Sequence, residues 1–329
     1  VEKPTGGEED LFTTEKNLLP AVALGCTVLL AAGCTDHQRL KKEVVQAAQK
    51  QEEIRSYHFT GTMDLKLDPA LFQGVPPLTA GILSLLKESR IEYAGAASLT
   101  DAVQMEADIK ITPKGASAPT IVPILIKDNK LYMQLPAVNK PDEYMAFPLD
   151  STVPGSPAAT DRLKNTGRLT SALSAKLFEG LDPNWLDTDN KTETLPDGTT
   201  GKHIKLEISS KNQKAVADYM ASTLPALLNE IVTSGLSSSS QADVWKKTAG
   251  QLQVTAPTTI NLVIDGQGYI RRQTGLLHFS AGAAADNTIE WTQGLDSINQ
   301  PVTWSKETPK QVRPLNEILR LLPKPAQGK

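Results

Sequence analysis

Cysteine is nearly missing from this chain: Cys26 and Cys34 are the only two, and both fall near the N-terminus. The body of the protein therefore has neither a disulfide framework nor a cysteine zinc site. Histidine is almost as scarce, and His37, His58, His203 and His278 form no H-x-x-x-H pair. Charge of one sign is lacking too. The 34 Lys+Arg face 37 Asp+Glu, a formal net charge of −3 that offers no basic footprint for nucleic acid. Aromatic residues make up 5% of the chain, so a core of this size must rest on aliphatics. Long apolar runs are also missing, since the one from Leu18 to Leu30 falls short of the ~20 residues a membrane-spanning helix needs.

Catalytic motifs are equally sparse. There is no G-x-S-x-G elbow, and Ser84-Leu85-Leu86-Lys87 matches S-x-x-K without a Ser-Asp-Asn or Lys-Thr-Gly partner. Asp187-Thr188-Asp189-Asn190 begins like a calcium loop, but Lys191 takes the fifth position and Thr192 replaces the turn glycine. Gly266-x-Gly268 has no helix after it and reads as a turn. The expectation is a protein that is not an enzyme, with no catalytic residues, metal or cofactor.

What is present is Leu30-Ala31-Ala32-Gly33-Cys34, at the end of the apolar run. Small residues before a cysteine let a membrane-embedded peptidase grip an extended backbone, and the thiolate then takes up a diacylglyceryl group. The stretch resembles the bacterial lipobox, with Ala rather than the commoner Leu at −3. It implies lipidation at Cys34 and a place on the outer face of the cytoplasmic membrane. Cleavage before Cys34 leaves 32 basic and 32 acidic side chains, so no polybasic second anchor is available. The acidic residues Glu2, Glu8, Glu9, Asp10 and Glu15 suit a signal peptide poorly, which is read as a misplaced start with the true one nearer Lys16.

Asp36 to Ser56 predicts a helix, with Leu40, Val44, Ala47 and Ile54 at spacings of three and four. In the next stretch Tyr57, Phe59, Met63, Leu65 and Leu67 alternate with polar neighbours, the period-two signature of a strand covered on one side. Pro76-Pro77 opens a short aliphatic helix to Lys87, and strand signals fill Ser89 to Leu149. Asp128-Asn129 predicts a two-residue hairpin turn. Residues 161–187 read as a weak helix and 204–208 as a strand. A long helix from Asn212 to Leu236 passes through Pro225. Strands return at 258–264, 269–280 and 287–291, followed by an end strand at Ile298 to Val302 and a short helix around 315–322. Strands in blocks separated by helices predict an α+β fold with one antiparallel sheet.

The two aliphatic helices are richer in Leu, Ile and Met than a one-sided surface helix requires. Such walls suit acyl chains, which offer methylenes and no hydrogen-bonding points. Candidate lining residues are Phe59, Met63, Leu78, Ile82, Leu85, Met220, Leu224 and Leu228. An ordinary filled core would use the same residues.

The lipobox, the N-terminal helix, the strand Tyr57 to Leu65, the hairpin Ile264 to Ile270 and the end segment Ile298 to Val302 together resemble the LolA/LppX-like lipoproteins and their Gram-positive relatives. The resemblance covers most of residues 36–305. It implies a curved antiparallel sheet, a half-barrel, whose concave face is closed by helices and holds lipid acyl chains in several members. It implies no catalytic residues. The expected organisation is a signal peptide at 1–33, the lipidated cysteine and N-terminal helix at 34–56, and the half-barrel with helical insertions at 57–329. The expected function is a membrane-anchored extracytoplasmic lipoprotein that binds or carries a lipid or other apolar ligand. The alternative is a structural or interaction lipoprotein of the envelope or spore with a filled core.

Overall fold

The computed structural model describes residues 35–72, 83–100, 102–136, 139–149, 159–233, 246 and 250–314. The signal segment, Cys34 and the helix expected around 315–322 lie outside them, as does most of the helix expected at 77–87. The unit described below is His37–Lys329.

One curved, unclosed sheet organises this unit. Its first block is a meander of β1 (Ser56–Lys66), β2 (Glu88–Ser98), β3 (Gln104–Pro113), β4 (Thr120–Lys127), β5 (Lys130–Met133) and β6 (Glu143–Pro148). After helix α2 (Ala159–Gly180), the second block comprises β7 (Leu186–Asp187), β8 (Thr192–Thr194) and β9 (Thr200–Ile208). Helix α3 (Gln213–Thr233) follows, then β10 (Leu252–Asp265), β11 (Ile270–Ala281) and β12 (Ala284–Asp296). The last strand, β13 (Gln311–Pro314), runs parallel to β6, and every other pairing is antiparallel. The order is β13-β6-β5-β4-β3-β2-β1-β12-β11-β10-β9-β7, with β8 also on β9. The first strand is thus central, and the two meanders meet where β1 pairs with β12 from His58↔Asp296 to Lys66↔Thr288. The fold is α+β with one antiparallel-dominated sheet, as the strand and helix blocks predict, and its curved, unclosed form is the half-barrel that the resemblance implies.

Local chemistry sets the turns. Asp128 and Asn129 take φ of 52° and 56°, the left-handed pair of a two-residue hairpin between Lys127 and Lys130. In the β10–β11 turn, Asp265 Oδ1 accepts from the backbone N–H of Gln267 (2.9 Å) and Tyr269 (3.0 Å), and Gly268 supplies the φ of +87°.

Three expectations need correction. Residues 298–302 form no strand. Ser297 and Asn299 turn left-handed, and Asn299 is clipped to the start of β1, its Oδ1 accepting from Arg55 N at 2.7 Å and its Nδ2 donating to Glu53 O at 3.2 Å. The helix expected to reach 187 stops at Gly180, because Asp182-Pro183 opens a single 3-10 turn capped by the Asp182 side chain, and Leu186–Asp187 then pairs with β9. The N-terminal helix, α1 (His37–Lys50), is shorter than expected and ends in a 3-10 turn over Gln51–Glu53.

Helix α1 lays Leu40, Val44 and Ala47 against Leu186, Ile204, Leu262 and Ile270, all buried. Full burial of each large aliphatic contributes about 1.5–3 kcal/mol. Helix α2 packs on α1, where Ser171 Oγ donates to Ala48 O at 2.7 Å. Helix α3 seats Val216 and Met220 on Ile208 and Val254, and its Tyr219 hydroxyl donates to Leu177 O of α2 across Gly180.

Candidate functional site

Register and alternation sort the sheet into two faces. Leu262 and Ile204 face α1, so every residue in register with them shares the inner, helix-bearing side. One inner row reads Ile111, Ile91, Met63, Trp291, Gly275 and Ile260 across β3, β2, β1, β12, β11 and β10. The next reads Ile109, Tyr93, Gly61, Gln293, Gln273 and Leu262. The inner face stays apolar well beyond the footprint of α1. Under α1 its residues are buried, whereas Met63, Ile91, Tyr93, Ile109, Ile111 and Trp291 at the middle of the sheet are only half-buried.

Glycines shape this floor. A Cβ on Gly61 would run into the ring of Tyr93, one on Gly95 into Phe59, and one on Gly275 into Trp291. Each ring lies across the glycine of the neighbouring strand instead of standing upright, which leaves a low aromatic surface. Phe59 also contacts Tyr57 and Tyr93, with centroids 5.9 and 6.2 Å apart. Burial pushes the Tyr57 and Tyr93 hydroxyls above the ordinary tyrosine range.

The candidate lining residues distribute unevenly. Phe59 and Met63 are on the inner face of β1. Met220 belongs to the packing of α3 on the sheet, and Leu224 and Leu228 follow it, half-buried, one and two turns on. Leu85 is 62% exposed, and Leu78 and Ile82 lie outside the described residues, as do Leu30 to Cys34. The strongest inner positions absent from the candidate set are Ile91, Tyr93, Ile109 and Ile111. They fall within the strand signals of Ser89 to Leu149, but such signals name a strand and not what its face meets.

The outer face of β1 to β3 is polar and ion-paired, with Arg90 on Asp64 at 2.8 Å and Lys306 on Asp108 at 2.7 Å. Clefts of about 320 and 420 Å3 open there, beside Glu106 and beside Thr60 and Thr62. The histidines are dispersed. His37 meets Leu186 O and His203 meets Glu193, at 2.7 and 2.8 Å, His278 meets Pro257 O, and His58 sits on the outer face of β1. Among the described residues no three of His, Cys, Asp and Glu gather as metal ligands.

No protein-family model matches the chain, and no curated protein does. Solved structures similar to it include LprF from Mycobacterium bovis, 10% identical, with a TM-score of 0.39 over 82% of this chain and 97% of that one. A DUF1329 family protein from Desulfovibrio piger is 8% identical, with a TM-score of 0.23 over 82% and 96%. An outer membrane lipoprotein-sorting protein domain from Vibrio parahaemolyticus is 9% identical, with a TM-score of 0.21 over 78% and 94%. Likenesses at this level say nothing of what the chain binds.

Proposed function

We propose that the chain is a non-enzymatic lipoprotein, anchored through Cys34 outside the cytoplasmic membrane, that binds or carries a lipid or other apolar ligand on the inner face of its half-barrel. The observation that carries this reading is the half-buried apolar floor at the middle of the sheet. Residues such as Met63, Ile91 and Ile109 keep apolar surface that their own packing does not remove from water. A ligand laid over them gains about 25 cal/mol per Å2 of that surface.

The test is binding of a fluorescent hydrocarbon probe to the full chain carrying Cys34→Ala, so that no acyl group of its own competes. Met63→Trp and Leu224→Trp should reduce probe uptake while leaving the melting temperature nearly unchanged. In a filled core the same enlargements strain the packing by about 1–3 kcal/mol. Absence of probe binding, together with early melting of both variants, would sink the carrier reading and favour the structural one.

A further inference from the structure

The second inner row carries polar side chains at the centre of the floor. Gln293 and Gln273 sit opposite each other on β12 and β11, and Gln293 pairs on its other side with Gly61. Tyr93 lies across that glycine and sets its hydroxyl above it. Two carboxamides and a phenol therefore line up across three strand boundaries, with Ile91 and Trp291 in the row on one side of them and Leu295 in the row on the other. Both glutamines are half-buried, and among the described residues no hydrogen bond engages either side chain or the Tyr93 hydroxyl. Their donors and acceptors are free to meet something that is not part of the sheet.

Charge is missing from the same surface. The inner positions of β1, β2 and β3 hold no Asp, Glu, Lys, Arg or His, and neither do those of β12 and of β11 beyond Arg271. An ionised head laid on this floor would lose its water without gaining a counter-charge. A neutral group that both donates and accepts would lose little, because carboxamides and a phenol can match it in either sense.

We infer that the inner face takes an apolar ligand bearing an uncharged hydrogen-bonding group, an amide or alcohol, received by Gln273, Gln293 and the Tyr93 hydroxyl. This rests on the carrier reading and adds the polarity of the ligand to it. A site built to hydrogen-bond a group discriminates sharply against ligands that cannot supply it, since its own polar atoms are then left unpaired.

Displacement of bound diphenylhexatriene from the full-length Cys34→Ala protein decides the matter. Oleamide and oleate are compared at about pH 9, where the carboxylate is ionised. Oleamide should displace the probe at roughly tenfold lower concentration than oleate, and Gln273→Leu with Gln293→Leu should weaken oleamide about tenfold while hydrocarbon binding holds. Equal potency of the two ligands on the unsubstituted floor overturns the inference, and so does a preference that survives the double substitution. If the leucine variant unfolds, the ratio on the unsubstituted floor alone decides. Diphenylhexatriene that binds without any amide preference refutes the polar row only. Failure to bind it at all removes the carrier reading, and this inference with it.

Discussion

Ser305 donates both its backbone N–H, at 3.0 and 3.1 Å, and its hydroxyl, at 2.8 Å, to the carboxylate of Glu106, across 199 residues of sequence. Lys306 adds a fourth bond from its backbone at 2.8 Å. From there the chain runs to Gln311, opposite Glu143 on β6, and so crosses β4 and β5 on the outer face, where Leu125 and Tyr132 are buried. Burial works to raise the Glu106 pKa, but the bonds from Ser305 and Lys306 and the Lys306 charge outweigh it, and the carboxyl sits below the usual range. A group with a depressed folded pKa stabilises above its unfolded pKa, about 4.3, and that contribution fades as pH falls through the folded value. Glu106→Gln should cost about 2–3 kcal/mol at neutral pH, and its stability should fall less than the wild type's on acidification. Chemical denaturation at a series of pH values checks both. A variant as stable as wild type at neutral pH would mean the strap is held elsewhere.

The two faces of β1 should respond oppositely to charge. Phe59→Asp puts a carboxylate among Tyr57, Tyr93 and Gly95 and should cost several kcal/mol. Thr60→Asp, exposed on the outer face, should change stability by less than about 1 kcal/mol. Melting curves of the two variants test this, and similar midpoints would contradict the assignment of faces.

Gly95 and Gly61 separate stability from site shape. A Cβ on Gly95 would meet the backbone of Glu106 and Ala107, which cannot move without disturbing β3, so Gly95→Ala should be destabilising by about 1–3 kcal/mol or more. The atoms nearest a Cβ on Gly61 belong to the far end of the Tyr93 side chain, which can swing away. Gly61→Ala should therefore melt near wild type while the near-ultraviolet circular dichroism of its tyrosines changes. Equal destabilisation by the two alanines would count against this account.

Arg271 secures the β10–β11 turn. Its guanidinium, 6% exposed, reaches Asp265 at 3.1 Å and Asp197 at 2.6 Å, and its Nε donates to Leu295 O at 2.9 Å. Asp265 is 4% exposed, so Arg271→Met leaves a buried carboxylate without a counter-charge and should cost about 3–5 kcal/mol. Adding Asp265→Asn to Arg271→Met should recover part of the loss, which a double-mutant cycle in urea measures. No recovery would show that Asp197, and not Asp265, is the partner that matters.

Much of the architecture was legible along the chain. Tyr57 to Leu65, Ile204 to Ile208 and Asp128-Asn129 report their structure through local periodicity and turn chemistry, because alternation and left-handed φ are properties of adjacent residues. The site was less legible. Phe59 and Met63 were recognisable as facing inward, but nothing near Gln293 in sequence says that Gln273 lies beside it or that Tyr93 lies across Gly61.

The sequence by itself determined which residues turn inward on strands such as β1 and β9, where the hairpins at Asp128-Asn129 and Asp265 to Gly268 fold, and that the core is aliphatic, since each depends on spacings of a few residues. Tertiary structure decided that β1 joins two meanders at the centre, that Ile298 to Val302 turns instead of pairing, and that one polar row crosses an apolar floor. Those features arise from strand pairings across up to some 240 residues, as between His58 and Asp296, which only the register of the assembled sheet brings together.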